Sequence, residues 1–230
     1  MRKDIQKLTV TYTAALREHG ATPKGVLWPN APDLGARFET LLGGIDFDRY
    51  RPTNRIRLLD LGCGPGLLLD YLAANTLLDR VDYTGVDVLE AALDEAQSRW
   101  PQQKFELHDA RDQPFPANHF DYCIACGVFT GRFELSATEM TAMAQDTLKA
   151  VWPSVTIGLA FNAMSKHVDW ERDDLFHWPL DDIMAFCKAD LSRHVRLRLD
   201  YGLWEVSTIV LKSPAARLGS VPVGWRSEAS

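Results

Sequence analysis

Three groups of residues in this sequence have types and spacings that could do chemistry. The first is Asp60, Gly62, Cys63, Gly64 and Gly66, within LLDLGCGPG at residues 58–66. Glycines at alternate positions carry no Cβ, so the chain can turn sharply and a ligand can approach the main chain closely. The second is a pair of acids at predicted strand ends. Asp87 closes DYTGVDV, and Asp109 closes KFELHDA with Ala110 beside it, Asp112 being its near competitor within DARD. The third is residues 163–179, a polar and aromatic stretch that holds His167, Asp169 and His177. These three follow a predicted core strand, where open α/β sheets bind ligands, and are candidates for a general base.

Spacing separates the glycine loop from its better-known relatives. A dinucleotide site uses G-x-G-x-x-G, whose third glycine lets the helix pack on the strand, and here that position is Leu67. A phosphate-binding P-loop needs Lys and then Ser or Thr, and the chain has Leu67 and Leu68 instead. Asp60, Gly62, Gly64 and Gly66 form D-x-G-x-G-x-G, which resembles the first motif of class I S-adenosylmethionine-dependent methyltransferases. Asp87 follows about twenty residues later, an interval that returns the chain to the neighbouring strand end, where a carboxylate can accept from both ribose hydroxyls. Val88 next to it could pack on an adenine face.

The resemblance extends to GVLW, FDYCIACGVF, GLAFNAMSKHVDW and YGLWEV, which are similar to bacterial methyltransferases found near polysaccharide-synthesis genes. It implies S-adenosylmethionine as cofactor, with Asp109 and Ala110 at the adenine and the Cys126–Gly127 backbone under the methionine part. The resemblance says little about the acceptor; the acidic charge and the separate polar-aromatic loop lead to the expectation of a small-molecule or glycan acceptor, methylated at oxygen or nitrogen. A donor-binding regulatory or assembly protein without transferase activity is the alternative. Trp28 is either part of a cover over the nucleotide or a hydrophobic plug.

These residues need a scaffold, and its elements are legible. Apolar Ile5, Leu8, Tyr12, Ala15 and Leu16 recur at helical spacing and predict a helix ended near Gly20. Pro23, Gly25, Pro29, Pro32 and Gly35 predict a loop, followed by a short helix over residues 36–45. Strands are predicted at residues 56–60, 82–88, 104–110, 120–129 and 154–164, alternating with helices at 67–74, 89–100 and 138–151. A helix from Pro179 and two strands within residues 194–212 complete the series. That order predicts a Rossmann-like α/β fold, a mostly parallel seven-stranded sheet with an antiparallel last strand and helices on both faces. The expected divisions are a helical cap at 1–50, a methyltransferase domain at 51–212 and a tail at 213–230.

Composition restricts the partners. The net charge of −6 and pI near 5.5 oppose broad attraction to nucleic acid or an anionic membrane. MRKDIQKLTV is followed by no apolar core of signal-peptide length, and no stretch approaches a membrane span, so a cytoplasmic protein is expected. Cys123 and Cys126 are spaced C-x-x-C, but on a strand they face opposite ways, which excludes a zinc knuckle or redox dithiol. The His and Asp spacings in 163–179 match no compact metal motif, so no metal is expected.

Overall fold

The strand before the glycine loop, β1 (Ile56–Leu61), is buried at every position but one, as a strand covered on both faces must be. In the computed structural model, which describes residues 2–214, β1 pairs in parallel with β2 (Val81–Asp87) and with β4 (Phe120–Phe129). β3 (Lys104–Leu107) extends the sheet beside β2, and β5 (Val155–Ser165) extends it beside β4. β8 (Glu205–Leu211) then runs antiparallel to both β5 and β7 (His194–Arg198), giving the order β3-β2-β1-β4-β5-β8-β7. From β1 the chain winds outward through β2 and β3, then crosses to β4 and winds the other way. The switch lies between β1 and β4, and in open α/β sheets ligands bind in the crevice beyond the strand ends at that point.

Two apolar layers cover the sheet. On one face α2 (Ala31–Leu42) and α3 (Leu67–Ala74) pack Leu34, Phe38, Leu41, Leu68 and Leu72 onto Leu58, Tyr122 and Ile209. On the other, α5 (Ala137–Val151), α6 (Leu180–Phe186) and the start of α1 (Lys3–His19) pack Met140, Leu148, Ile183, Ile5 and Leu8 onto Leu59, Cys123 and Val210. α4 (Glu90–Arg99) links β2 to β3. α5 starts at a capping box, in which Ser136 and Glu139 each accept from the other's main chain. No helix among the described residues is long and apolar enough to cross a membrane.

The fold differs from the sequence reading at α2 and beyond the end of β5. α2 begins at Ala31 rather than near residue 36, because Asn30 accepts from Asp33 N as N-cap and Pro32 falls in the first turn, where a missing N–H costs nothing. α2 is therefore a covering helix of the sheet, and the cap expected at 1–50 shrinks to the segment before it. β5 runs on to Ser165, and His177–Trp178 form a two-residue strand, β6, parallel to its end, so the sheet has eight strands rather than seven. The connection expected over 163–179 is correspondingly shorter. The tail predicted at 213–230 lies outside the described residues from position 215 on.

Candidate functional site

The glycine loop leaves β1 in backbone conformations that L side chains rarely adopt. Gly62, Gly64 and Gly66 have φ of +71°, +54° and +81°. A Cβ on Gly62 would stand 2.5 Å from the Val128 side chain, so bulk is excluded there as well as strain. Gly62 N and Cys63 N donate to Val86 O at 2.8 and 3.0 Å, which ties the loop to the end of β2. Gly66 stands immediately before α3.

Two carboxylates flank this loop. Asp87 Oδ2 accepts from Gly64 N at 2.8 Å and Oδ1 from Leu89 N at 2.9 Å. Burial raises its pKa, and hydrogen bonds from Leu89, Gly64 and Val88 act against that rise. Asp60, 3% exposed, accepts from the Tyr83 hydroxyl at 2.7 Å. Burial pushes its pKa up to about 7, with the Tyr83 bond lowering it and the charge of Asp87 adding to it. A positive charge placed beside such a carboxyl would favour its ionised form.

The loop and both carboxylates face one cavity of about 190 Å³. Asp60, Gly62, Cys63, Gly64, Asp87 and Val88 line one side. Asp109 and Ala110 line it from the end of β3, Cys126 and Gly127 from β4, and Trp28 from the segment before α2. Gly66 alone of the residues chosen for the donor does not line it. Burial pushes the Cys63 and Cys126 thiols far above their ordinary range, so both offer surface rather than nucleophiles. Cys123 and Cys126 face opposite sides of the sheet, as alternation requires. Among the described residues no group of three or more His, Cys, Asp and Glu is placed to hold a metal.

The far wall is the N-terminal segment. Ile5, Leu8, Tyr12 and Leu16 of α1 line the cavity with Val26 and Trp28. The Tyr12 hydroxyl lies 3.5 Å from Gly127 O, and burial first, with Asp87 adding, holds its pKa near 12, so it stays a neutral phenol. Asp109 accepts from Arg111 N at 3.0 Å and from its guanidinium at 3.1 and 2.8 Å, while Arg111 Nη1 reaches Asp4 of α1. Burial acts to raise the Asp109 pKa, and Arg111 more than offsets it, leaving that carboxyl below its usual range.

A family model described as a methyltransferase domain matches residues 58–152, the stretch from β1 through α5. "Putative methyltransferase Rv1506c" of Mycobacterium tuberculosis is 35% identical over 159 residues, covering 67% of this chain and 92% of that protein. The chain belongs to the S-adenosylmethionine-dependent methyltransferase family. At the level of fold alone, it is similar to magnesium protoporphyrin IX methyltransferase of Synechocystis PCC 6803, solved with bound S-adenosylhomocysteine, at 14% identity and TM-score 0.59, covering 92% of this chain and 98% of that one. A TehB-like methyltransferase from Corynebacterium glutamicum gives 14% identity and TM-score 0.51, covering 89% and 96%.

In this methyltransferase the three base candidates of the loop after β5 lie outside the cavity lining and apart from one another in burial. His167 and Asp169 are exposed and do not line the cavity. His177 is 7% exposed: its Nδ1 lies 2.7 Å from Ser165 O and its Nε2 accepts from Arg172 N at 3.2 Å. A carbonyl at Nδ1 and an N–H at Nε2 make Nδ1 the donor and Nε2 the acceptor and use both ring positions, so His177 fastens β6 to the loop. His177 and Trp178 are both buried, and a two-residue strand leaves no alternation to read in the sequence. The sequence alone does not point to Arg37, Arg111, Asn162 or Glu205; the Arg37–Glu205 pair is separated by 168 positions, and no local pattern announces it.

Proposed function

We propose that this methyltransferase holds S-adenosylmethionine in the cavity between the glycine loop and α1 and methylates oxygen or nitrogen of a small-molecule or glycan acceptor. The observation that carries the reading is the convergence of Asp60, Asp87 and the positive-φ glycine loop on one cavity at the β1/β4 switch point. The residues fit the donor. Asp87 keeps lone pairs for ribose hydroxyls beyond the two backbone bonds it accepts. Val88, Asp109 and Ala110 bound the adenine end, and Cys126, Gly127 and Trp28 the methionine end. The buried Asp60 carboxyl suits a cationic ligand.

When bound, the donor supplies a methyl group already activated on a sulfonium, so the protein's share is orientation and the exclusion of water. The apolar wall of α1 and Trp28 does the latter. No side-chain nucleophile is required, which agrees with the raised thiol pKa values of Cys63 and Cys126. The acceptor is proposed to approach from the β4 and β5 ends, where Trp170, 48% exposed, offers a stacking face and His167 and Asp169 offer polar contacts at the rim. The acidic net charge favours such an acceptor over nucleic acid. Four unpaired cysteines fit a reducing cytoplasmic setting.

Incubation with methyl-labelled donor and panels of sugars, glycosides and small amines or phenols tests the acceptor class. Labelled product from one of these panels supports the reading. Label in RNA alone would contradict it, and tight donor binding with no transfer to any panel would favour the regulatory alternative.

A further inference from the structure

A charged chain runs behind the methionine end of the cavity and belongs to neither wall. Arg37 of α2 is 4% exposed and Glu205 of β8 2%. Arg37 Nε donates to Glu205 Oε1 and Oε2 at 2.8 and 3.1 Å, and its Nη2 donates to Oε1 as well. Glu205 Oε2 also accepts from Asn162 Nδ2 at 2.6 Å, and Asn162 Oδ1 accepts from Gly127 N at 2.7 Å. The chain thus links α2, β8, β5 and the end of β4. Its other end holds Trp28: the Arg37 guanidinium carbon lies 3.7 Å from that ring's centroid. The ring in turn covers Gly127, where an added Cβ would stand 2.9 Å from it. Gly127 has φ +81°, so its amide direction is not one the chain adopts by default.

Burying two charges is costly, and an apolar pair of similar volume would serve folding as well or better. The stability of the sheet therefore does not explain why Arg37 and Glu205 stand here. What the chain does uniquely is fix two cavity-lining groups at once, the Gly127 backbone and the Trp28 ring. We propose that Arg37, Glu205 and Asn162 are positioning residues for the methionine part of the donor. They act through Gly127 and Trp28 and touch no reacting atom. The inference rests on the donor reading above.

The test is calorimetry of S-adenosylhomocysteine with wild type, the double variant Arg37→Met/Glu205→Leu, and Asn162→Ala, together with tryptophan emission referenced to Trp28→Phe. The double variant should melt close to wild type, yet bind about 10- to 100-fold more weakly, the scale on which supporting residues act around measured metal sites. The ligand-induced change in Trp28 emission should be lost with it. Asn162→Ala leaves the ion pair in place and should lose affinity in the same direction, which keeps the test open if the double variant does not fold. Arg37→Lys, which retains a cation beside Trp28 and Glu205, should recover part of the loss. Folded variants that bind within twofold of wild type would overturn the inference while leaving the donor reading intact. A wild-type protein that binds nothing would remove both.

Discussion

At the scale of single residues, the two carboxyls that flank the glycine loop are set to different tasks by their surroundings. Asp87 is fastened by two backbone N–H groups, whereas Asp60 has one phenol and little else. A carboxyl whose folded pKa is raised from 3.8 to about 7 binds its proton more tightly folded than unfolded. Its contribution to stability is full below the unfolded value and is lost as pH rises through about 7. Thermal melts should therefore show this component declining between roughly pH 4 and 7, the interval bounded by the unfolded and folded values, and Asp60→Asn should flatten it. Binding of the cationic donor opposes that trend, since a nearby positive charge favours the ionised form. Affinity for S-adenosylmethionine should rise by about tenfold from pH 6 to 8, and S-adenosylhomocysteine, which lacks the sulfonium charge, should respond less. Equal pH dependence for the two compounds would remove Asp60 from the cation's surroundings. For Asp87→Ala, loss of charge-assisted hydrogen bonds predicts weaker donor binding by about 1.5–3 kcal/mol. Unchanged affinity in a folded variant would reduce Asp87 to a clamp on Gly64.

At the scale of elements, the decisive piece is α1. It contributes a wall to the cavity, and its first turn is fastened by Arg111, which bridges Asp4 to Asp109. Arg2 adds a more exposed bond to Asp112 at 3.1 Å. Asp4→Ala should free that end of α1, raising both association and dissociation rates of S-adenosylhomocysteine in stopped-flow fluorescence more than it changes the equilibrium constant. Slower association would mean that the ion cluster guides entry instead of holding the cover. Long elements were readable from sequence because their patterns are local: the apolar runs of β1 and β4, the three glycines, and the apolar spacing of α1 and α3. α2 was placed late because Pro32 and Gly35 look like loop residues unless Asn30 is credited as a cap. The placement of His177 is hidden from sequence for a different reason. Whether a histidine in a polar loop is buried is decided by a carbonyl twelve residues away, Ser165 O in the case of His177, and composition carries no trace of that.

At the scale of the whole molecule, the sheet's topology makes the site. Reversal of winding between β1 and β4 opens the crevice, α2 and β8 support one end of it through Arg37 and Glu205, and α1 covers it. His177 contributes to the far edge by joining β6 to β5, so His177→Ala should lower the melting temperature while leaving affinity for S-adenosylhomocysteine nearly unchanged. Loss of ligand affinity without loss of stability would return His177 to the functional site. The central claim is that this cavity takes a sulfonium nucleoside and not a dinucleotide, since Leu67 stands where a dinucleotide site needs its third glycine. Isothermal titration of the wild-type protein with S-adenosylmethionine, S-adenosylhomocysteine and NAD tests it most directly. Micromolar binding of the first two with no comparable heat from NAD is the predicted result, and binding of NAD with none of the sulfonium compound would contradict it.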